Sequence, residues 1–246
     1  METAVNIVYA PVPYAVMMAS PQDLQDFAIG FSLTEGIIDQ VSDIRSVAIE
    51  PEERGLRLIV TLASSSLTRH LGRSRAMSGR TGCGLCGIDD FANLPQARSP
   101  VQSGAPIALG AIHRALTALA AAQPLNAATH AVHAAAFANA SGALEIVRED
   151  VGRHNALDKM IGAALAAGID PASGFVLITS RCSFEMVEKA AIFGAGLIVA
   201  ISAPTSLAVE RANIHGMGLM AVARSDSGLV FCNSAAIATT ILETML

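Results

Sequence analysis

The stretch that decides the fold runs from Phe175 to Ile201. It reads Phe175-Val176-Leu177-Ile178-Thr179, then Ser180-Arg181-Cys182-Ser183, then Phe184–Phe193 closed by Gly194-Ala195-Gly196, then Leu197-Ile198-Val199-Ala200-Ile201. Two short runs are apolar almost throughout, with a segment of helical length between them. A strand with one wet face alternates in polarity, whereas an unbroken apolar strand is covered on both faces. Strand, helix and strand in this order predict a partly parallel sheet with helices on either side.

The same pattern extends outward. Val132–Asn139 and Ala143–Val147 read as strands around an Ala140-Ser141-Gly142 turn. Gly152–Ala167 reads as a helix with Leu157, Met160, Ile161, Ala164 and Leu165 on one face. Pro204–Ala212 reads as a helix, Leu219–Ala223 and Leu229–Cys232 as strands, and Ala235–Met245 as a closing helix. Leu109–Ala122 is an Ala-rich helix, and no internal repeat is visible. The first half is patterned differently. Val5–Val8 and Tyr14–Met18 are expected strands, and Ser20 is expected to cap a helix that has Pro21 at its first position and Gly36 at its end. Its stripe is Leu24, Phe27, Ala28 and Phe31. Ile44–Ile49 and Leu56–Thr61 flank Pro51-Glu52-Glu53-Arg54-Gly55, a hairpin signature. Periodicity then fails from Ser64 to Pro106. The expected organisation is α/β: a smaller N-terminal α+β domain over 1–106, then an α/β domain over 107–246 with a mixed sheet and helices on both faces.

Composition narrows the function classes. The chain is 52% hydrophobic but 4% aromatic, so its core must be mostly Ala, Leu, Ile and Val. A net charge of −5 with 16 Lys plus Arg argues against a general nucleic-acid binder. Any anionic ligand must be held by a few placed donors. No apolar run approaches the roughly 18 residues of a membrane span, and Met1-Glu2-Thr3-Ala4 does not open a signal peptide. A cytoplasmic protein without a membrane partner is expected. Four cysteines are too few for a disulfide scaffold, so paired thiols point to metal or sulfur chemistry.

That pair is Cys83 and Cys86, in Gly79-Arg80-Thr81-Gly82-Cys83-Gly84-Leu85-Cys86-Gly87. Each glycine would weaken a helix by about 0.5–1 kcal/mol relative to alanine, so a mobile thiol-bearing loop is expected. Gly82-x-Gly84-x-x-Gly87 matches the dinucleotide fingerprint formally, but no strand precedes it and no acid follows at the required distance. Half of a zinc site is a second reading. A structural zinc wants four ligands, and Cys182 and Cys232 stand alone, without a second CxxC. The zinc-deaminase pattern also fails, since His133 is followed by Ala134 and Ala135 and Gly82 takes the proline position. The flanking glycines argue against a thioredoxin-like dithiol. What remains is a nucleophilic thiol able to hold a persulfide, with Arg80 near enough to favour the thiolate.

Three polar segments follow predicted strands and open helices. They are Gly152-Arg153-His154-Asn155, Ser180-Arg181-Cys182-Ser183, and Ser202-Ala203-Pro204-Thr205-Ser206. Unpaired N–H groups at a helix start bind phosphate, and arginine adds donors. Capping is the competing reading, with Asp150 or Asn155 holding the first turn and His154 paired to Asp158. Three such turns at one sheet edge favour an anionic ligand. Cys182 and Cys232, both in apolar surroundings, are expected to be packed rather than reactive.

Several of these segments resemble one family, the FdhD/NarQ formate dehydrogenase accessory sulfurtransferases. They are Gly79–Gly87, Glu149–Lys159, Thr179–Met186, Ser202–Val209 and the early block Ala15–Ile38. The resemblance runs in matching order along nearly the whole chain. It implies a cytidine-deaminase-like C-terminal domain without the deaminase zinc, and a homodimer. It implies sulfurtransferase activity: persulfide sulfur passes from a cysteine desulfurase to the molybdenum bis-guanine-dinucleotide cofactor, for a formate dehydrogenase client. On this resemblance Cys83 carries the persulfide with Cys86 as partner. The cofactor is then a bound substrate, and GDP should mimic it. The family's cofactor loop falls on Val222-Ala223-Arg224-Ser225-Asp226-Ser227, where this chain departs from the usual glycine and second basic residue. A zinc-stapled cofactor chaperone without sulfur transfer is the alternative.

Overall fold

Alternation in the first residues builds a sheet with one buried face. Val5, Ile7 and Tyr9 of β1 (Thr3–Tyr9) point the same way as Ala15, Met17 and Ala19 of β2 (Val12–Ala19), and all six are buried. The structure is a computed structural model that describes residues 2–64, 97, 99–102 and 104–238. β3 (Ile44–Glu52) and β4 (Gly55–Leu62) form the expected hairpin, although both strands run on into the anticipated turn. β4 pairs parallel with β1, giving the order β2-β1-β4-β3. Helix α1 (Leu24–Thr34) closes this core with Leu24, Phe27 and Phe31.

The start of α1 corrects the expected cap. The helix begins at Leu24, after Asp23 in a left-handed conformation (φ 54°) whose side chain caps nothing. Ser20 is buried and bonded elsewhere, as described below.

The second half builds a six-stranded sheet. α2 (Leu109–Ala121) and the short α3 (Pro124–Thr129) follow β5 (Ile107–Ala108). Then come β6 (His133–Asn139), β7 (Leu144–Asp150), α4 (Arg153–Ala166), β8 (Gly174–Ile178), α5 (Phe184–Phe193), β9 (Leu197–Ala200), α6 (Ser206–His215), β10 (Gly218–Ala221) and β11 (Leu229–Cys232). The order is β11-β10-β9-β8-β6-β7, with β8, β9 and β10 parallel and the others antiparallel. The sheet is mixed, as expected.

Its strands bury alternate residues on opposite faces. Ala135, Phe137, Val176, Ile178 and Ile198 meet α4, α5 and α6 through Leu157, Met160, Ile161, Met186, Val187 and Ala212. Ala134, Ala136, Phe175, Leu177 and Val199 meet α2 through Ile112, Ala115 and Leu119. Both faces are therefore covered.

Two further expectations are corrected. Helix α6 starts at Ser206 rather than Pro204, because the Thr205 hydroxyl accepts the Ala208 N–H. Of Ala235–Met245, Ile237–Ala238 is strand β12, paired parallel with β5, and residues 239–246 lie outside the described part.

The two sheets meet through α1 and α4. A Cβ on Gly30 would collide with the Asp158 carbonyl oxygen, and one on Gly162 with the Asp26 carbonyl oxygen. Only glycine lets these helices approach so closely. Lys159 and Asp150, both fully buried, pair at 2.6 Å. Lys159 also donates to the Ser20 carbonyl (2.9 Å), while the Asp150 carboxylate accepts the Ser20 N–H (2.9 Å).

Candidate functional site

One edge of the large sheet gathers the polar turns. β7 and β8 both run antiparallel to β6, so their C-terminal ends share an edge with those of β9 and β10. Four connections open there: 151–152, 179–183, 201–205 and 222–228. Ligand crevices of α/β sheets form at the carboxyl ends of strands, where helix N-termini also point.

Direct contacts join neighbouring turns. Cys182 forms a parallel bridge with Pro204, the Cys182 N–H donates to the Ala203 carbonyl (3.2 Å), and the Thr205 N–H donates to the Cys182 carbonyl (3.0 Å). The Val222 N–H donates to the Ser202 carbonyl (3.2 Å), and Arg224 Nη1 donates to the Ile201 carbonyl (2.7 Å). His154 Nε2 stands 3.4 Å from Glu185 Oε2. The residues expected to act together are thus one continuous rim.

Within that rim the predicted residues divide. Gly152 donates its N–H to Asp150 Oδ1 (2.7 Å), and Asn155 is buried with its amide on Asp150 and the Met18 carbonyl. Of the two residues expected to hold the first turn, Asp150 does so by accepting the Gly152 N–H, while Asn155 only donates to Asp150 and Met18 and caps no helix N–H. Arg153 Nε is buried with no hydrogen-bond partner among the described residues. His154 faces Glu185 rather than the expected Asp158, because Asp158 turns inward onto Lys189 at 2.9 Å. Ser180 is buried, its hydroxyl on the Arg181 carbonyl (3.1 Å), and Arg181 is exposed. Ser183 donates to Glu185 Oε2 (2.7 Å), Ser202 is half-buried, and Thr205 and Ser206 are exposed.

The 222–227 turn is internally bonded. Val222 is β-branched yet has φ 52°, a conformation that costs such a residue on the order of 1–3 kcal/mol. Ala223 is buried, whereas Arg224, Ser225, Asp226 and Ser227 are exposed. The Arg224 N–H bonds the Ser227 carbonyl (2.7 Å), and Ser227 donates to Asp226 Oδ1 (2.9 Å). Asp226 is engaged in its own turn.

Two rim residues were not anticipated. His133 opens β6 directly opposite Asp150, so it enters the edge where β7 leaves it. Burial and the charges of Arg153 and His154 hold its imidazole below the ordinary value of 6.5. Glu185 lies in the first turn of α5. Burial pushes its carboxyl up, but His154, Ser183 and Arg153 pull harder, leaving it below the usual range. The hairpin register carried the His133 signal, since the first residue of one hairpin strand faces the last of its partner. No sequence signal pairs Glu185 with His154.

The four cysteines separate. Burial pushes the Cys182 thiol up to about 12, and Cys232 is also buried and raised. Neither supplies a thiolate at neutral pH, consistent with packing roles. Cys83 and Cys86 lie outside the described residues. Among the described residues, no group of three or more His, Cys, Asp or Glu could hold a metal ion, and no helix is long and apolar enough to cross a membrane.

A model of the FdhD/NarQ family matches residues 1–238. The chain belongs to the FdhD/NarQ family. Among similar proteins, the sulfur carrier protein FdhD of Bordetella petrii is 44% identical over 230 residues, covering 94% of this chain and 83% of that protein. The protein of the same name from Xanthomonas axonopodis pv. citri is 46% identical over 230 residues, covering 94% and 82%. A crystal structure described as a formate dehydrogenase accessory protein from Desulfotalea psychrophila superposes with a TM-score of 0.75 at 26% identity, covering 97% of this chain and 89% of that one. This family member therefore shares its fold with that protein over almost its whole length.

Proposed function

We propose that this chain is a sulfur carrier serving formate dehydrogenase maturation. The observation that carries the reading is the 44–46% identity, over 94% of the chain, to proteins named sulfur carrier protein FdhD. On this reading Cys83 is the carrying thiol. Its thiolate attacks the outer sulfur of a cysteine desulfurase persulfide, forms a new S–S bond, and releases the desulfurase thiol. Cys86, three residues on, assists release toward the acceptor. The acceptor is the molybdenum bis-guanine-dinucleotide cofactor, which is the protein's substrate.

The rim suits the phosphates of such a substrate. Three helices begin there, and Arg153, Arg181 and Arg224 lie on it. Glu185 and Asp226 are the opposing charges, and each is engaged by neighbours within the rim. A homodimer, a cytidine-deaminase-like arrangement of the 107–246 part, and a cytoplasmic location without bound zinc belong to the same proposal.

The test is direct. The protein is incubated with a cysteine desulfurase and cysteine, and its peptides are weighed. The Cys83 peptide should gain one sulfur atom, and Cys83→Ser should take up none while its stability stays within about 0.5 kcal/mol. Stoichiometric zinc, or a Cys83→Ser protein that unfolds through metal loss, overturns the carrier reading.

A further inference from the structure

Glu188 is a buried acid in the middle of α5, where an apolar residue would pack as well. Replacing a buried ion pair with apolar residues is often neutral or stabilising, so such a carboxylate calls for a specific reason. Its surroundings supply one. Arg211 and His215, four residues apart on α6, both address it. Arg211 Nε donates to Oε1, and His215 Nε2 lies 3.1 and 3.0 Å from the two oxygens. A further partner comes from a distant part of the chain, as Oε2 accepts the backbone N–H of Ala97 at 2.9 Å. The backbone carbonyl of His215 then accepts the Val101 N–H at 3.0 Å. Ala97 and Val101 also pack against the apolar cluster under α4, α5 and α6.

We propose that Glu188 is a positioning residue. With Arg211 and His215 it anchors the chain at Ala97 and Val101 and so fixes the root of the cysteine-bearing segment. Ala97 is eleven residues beyond Cys86 in sequence. Eleven residues reach at most ~40 Å, so a fixed root limits the volume the thiols can visit. Confining a tethered group raises its effective concentration at any acceptor within reach. This role rests on Cys83 being the sulfur carrier. The anchor acts through the backbone N–H groups of Ala97 and Val101.

The test uses the full chain and two variants. Glu188→Gln removes the charge and sets an amide donor against donors. Ala97→Pro removes the N–H that Glu188 accepts and leaves the buried carboxylate with its α6 partners. In both, hydrogen exchange at the Val101 amide should accelerate about tenfold or more, and sulfur uptake from a cysteine desulfurase should slow about tenfold. Alkylation of Cys83 by iodoacetamide should stay within about twofold, because the thiol itself is untouched. Unchanged uptake in Ala97→Pro overturns the anchor, as does alkylation that falls in step with uptake. If Glu188→Gln does not fold, Ala97→Pro decides alone. Wild-type protein that takes up no sulfur overturns the carrier reading and this role with it. Val101 exchange distinguishes the two failures, since it reports the anchor without any sulfur chemistry.

Discussion

The seam between the two sheets and the rim of the large sheet are both rich in charge, yet they use it in opposite ways. At the seam the buried charges are matched by partners. Asp150 accepts from Ser20, Gly152, Asn155 and Lys159, and Lys189 meets Thr34 and Asp158. At the rim, Arg181 and Arg224 are exposed and Arg153 Nε has no hydrogen-bond partner among the described residues. The single motif Glu149–Lys159 serves both regions. Glu149 accepts the Leu125 and Asn126 N–H groups at the start of α3, Asp150, Asn155, Asp158 and Lys159 serve the seam, and Val151, Gly152, Arg153 and His154 lie on the rim. Burial, rather than residue type, separates structural charge from charge available to a ligand.

The comparison breaks first at Lys159. Lys159→Met leaves Asp150 buried without its cation, and an orphaned buried charge costs about 3–5 kcal/mol. Urea denaturation monitored by circular dichroism should show that loss. A drop below 1 kcal/mol would mean the seam is wetter than its burial indicates.

At the rim the opposite result is expected. If the rim holds the phosphates of the proposed substrate, with GDP as its mimic, Arg181→Ala should weaken GDP binding about tenfold, or about 1.4 kcal/mol, while stability moves by no more than about 0.5 kcal/mol. Titration calorimetry and thermal melting of the same variant give both numbers. Equal GDP affinity in variant and wild type removes Arg181 from the phosphate site.

A smaller effect sits where seam and rim touch, at His133. Its folded pKa lies below the unfolded value of 6.5, so the unfolded chain binds the proton more readily between the two. Stability should therefore decline as pH falls from about 6.5 through the folded value, and His133→Gln should flatten that decline. Denaturation at pH 7 and pH 5.5 checks the sign.

Smallest of all is the effect on the buried thiols. With its thiol raised to about 12, Cys182 should stay unmodified by iodoacetamide at pH 8 in the native protein, as should Cys232. Rapid native labelling of either would place it on the accessible side of the comparison.

Much of the second half was legible from the order of its apolar runs. Helix α5 matches its expected span of Phe184–Phe193, and β8, β9 and β11 lie within a residue of theirs, because continuous apolar runs between glycine-rich breaks leave few alternatives. The gathering of three polar turns at one edge followed from the parallel order. Short or locally weak elements were not legible. Pro124–Thr129 is too short for periodicity and depends on Glu149 from another element, while β5 and β12 are two residues each. Ser20 looked like a cap because Ser-Pro opens many helices, but its hydroxyl and backbone are taken by Val151, Asp150 and Lys159. For the thiols the expectation of a mobile loop concerns residues outside those described.

The sequence by itself determined the longer strands and helices, the mixed sheet and the CxxC pair, since each rests on local spacing and local polarity. Only the tertiary structure decided which polar residues face inward. It turned Asp158 from His154 to Lys189, brought His133 beside Arg153, and set Ala97 on Glu188. Those pairings join residues distant in the chain. A hydrogen bond of that kind is selected by which groups burial leaves without water, a condition that no local pattern records.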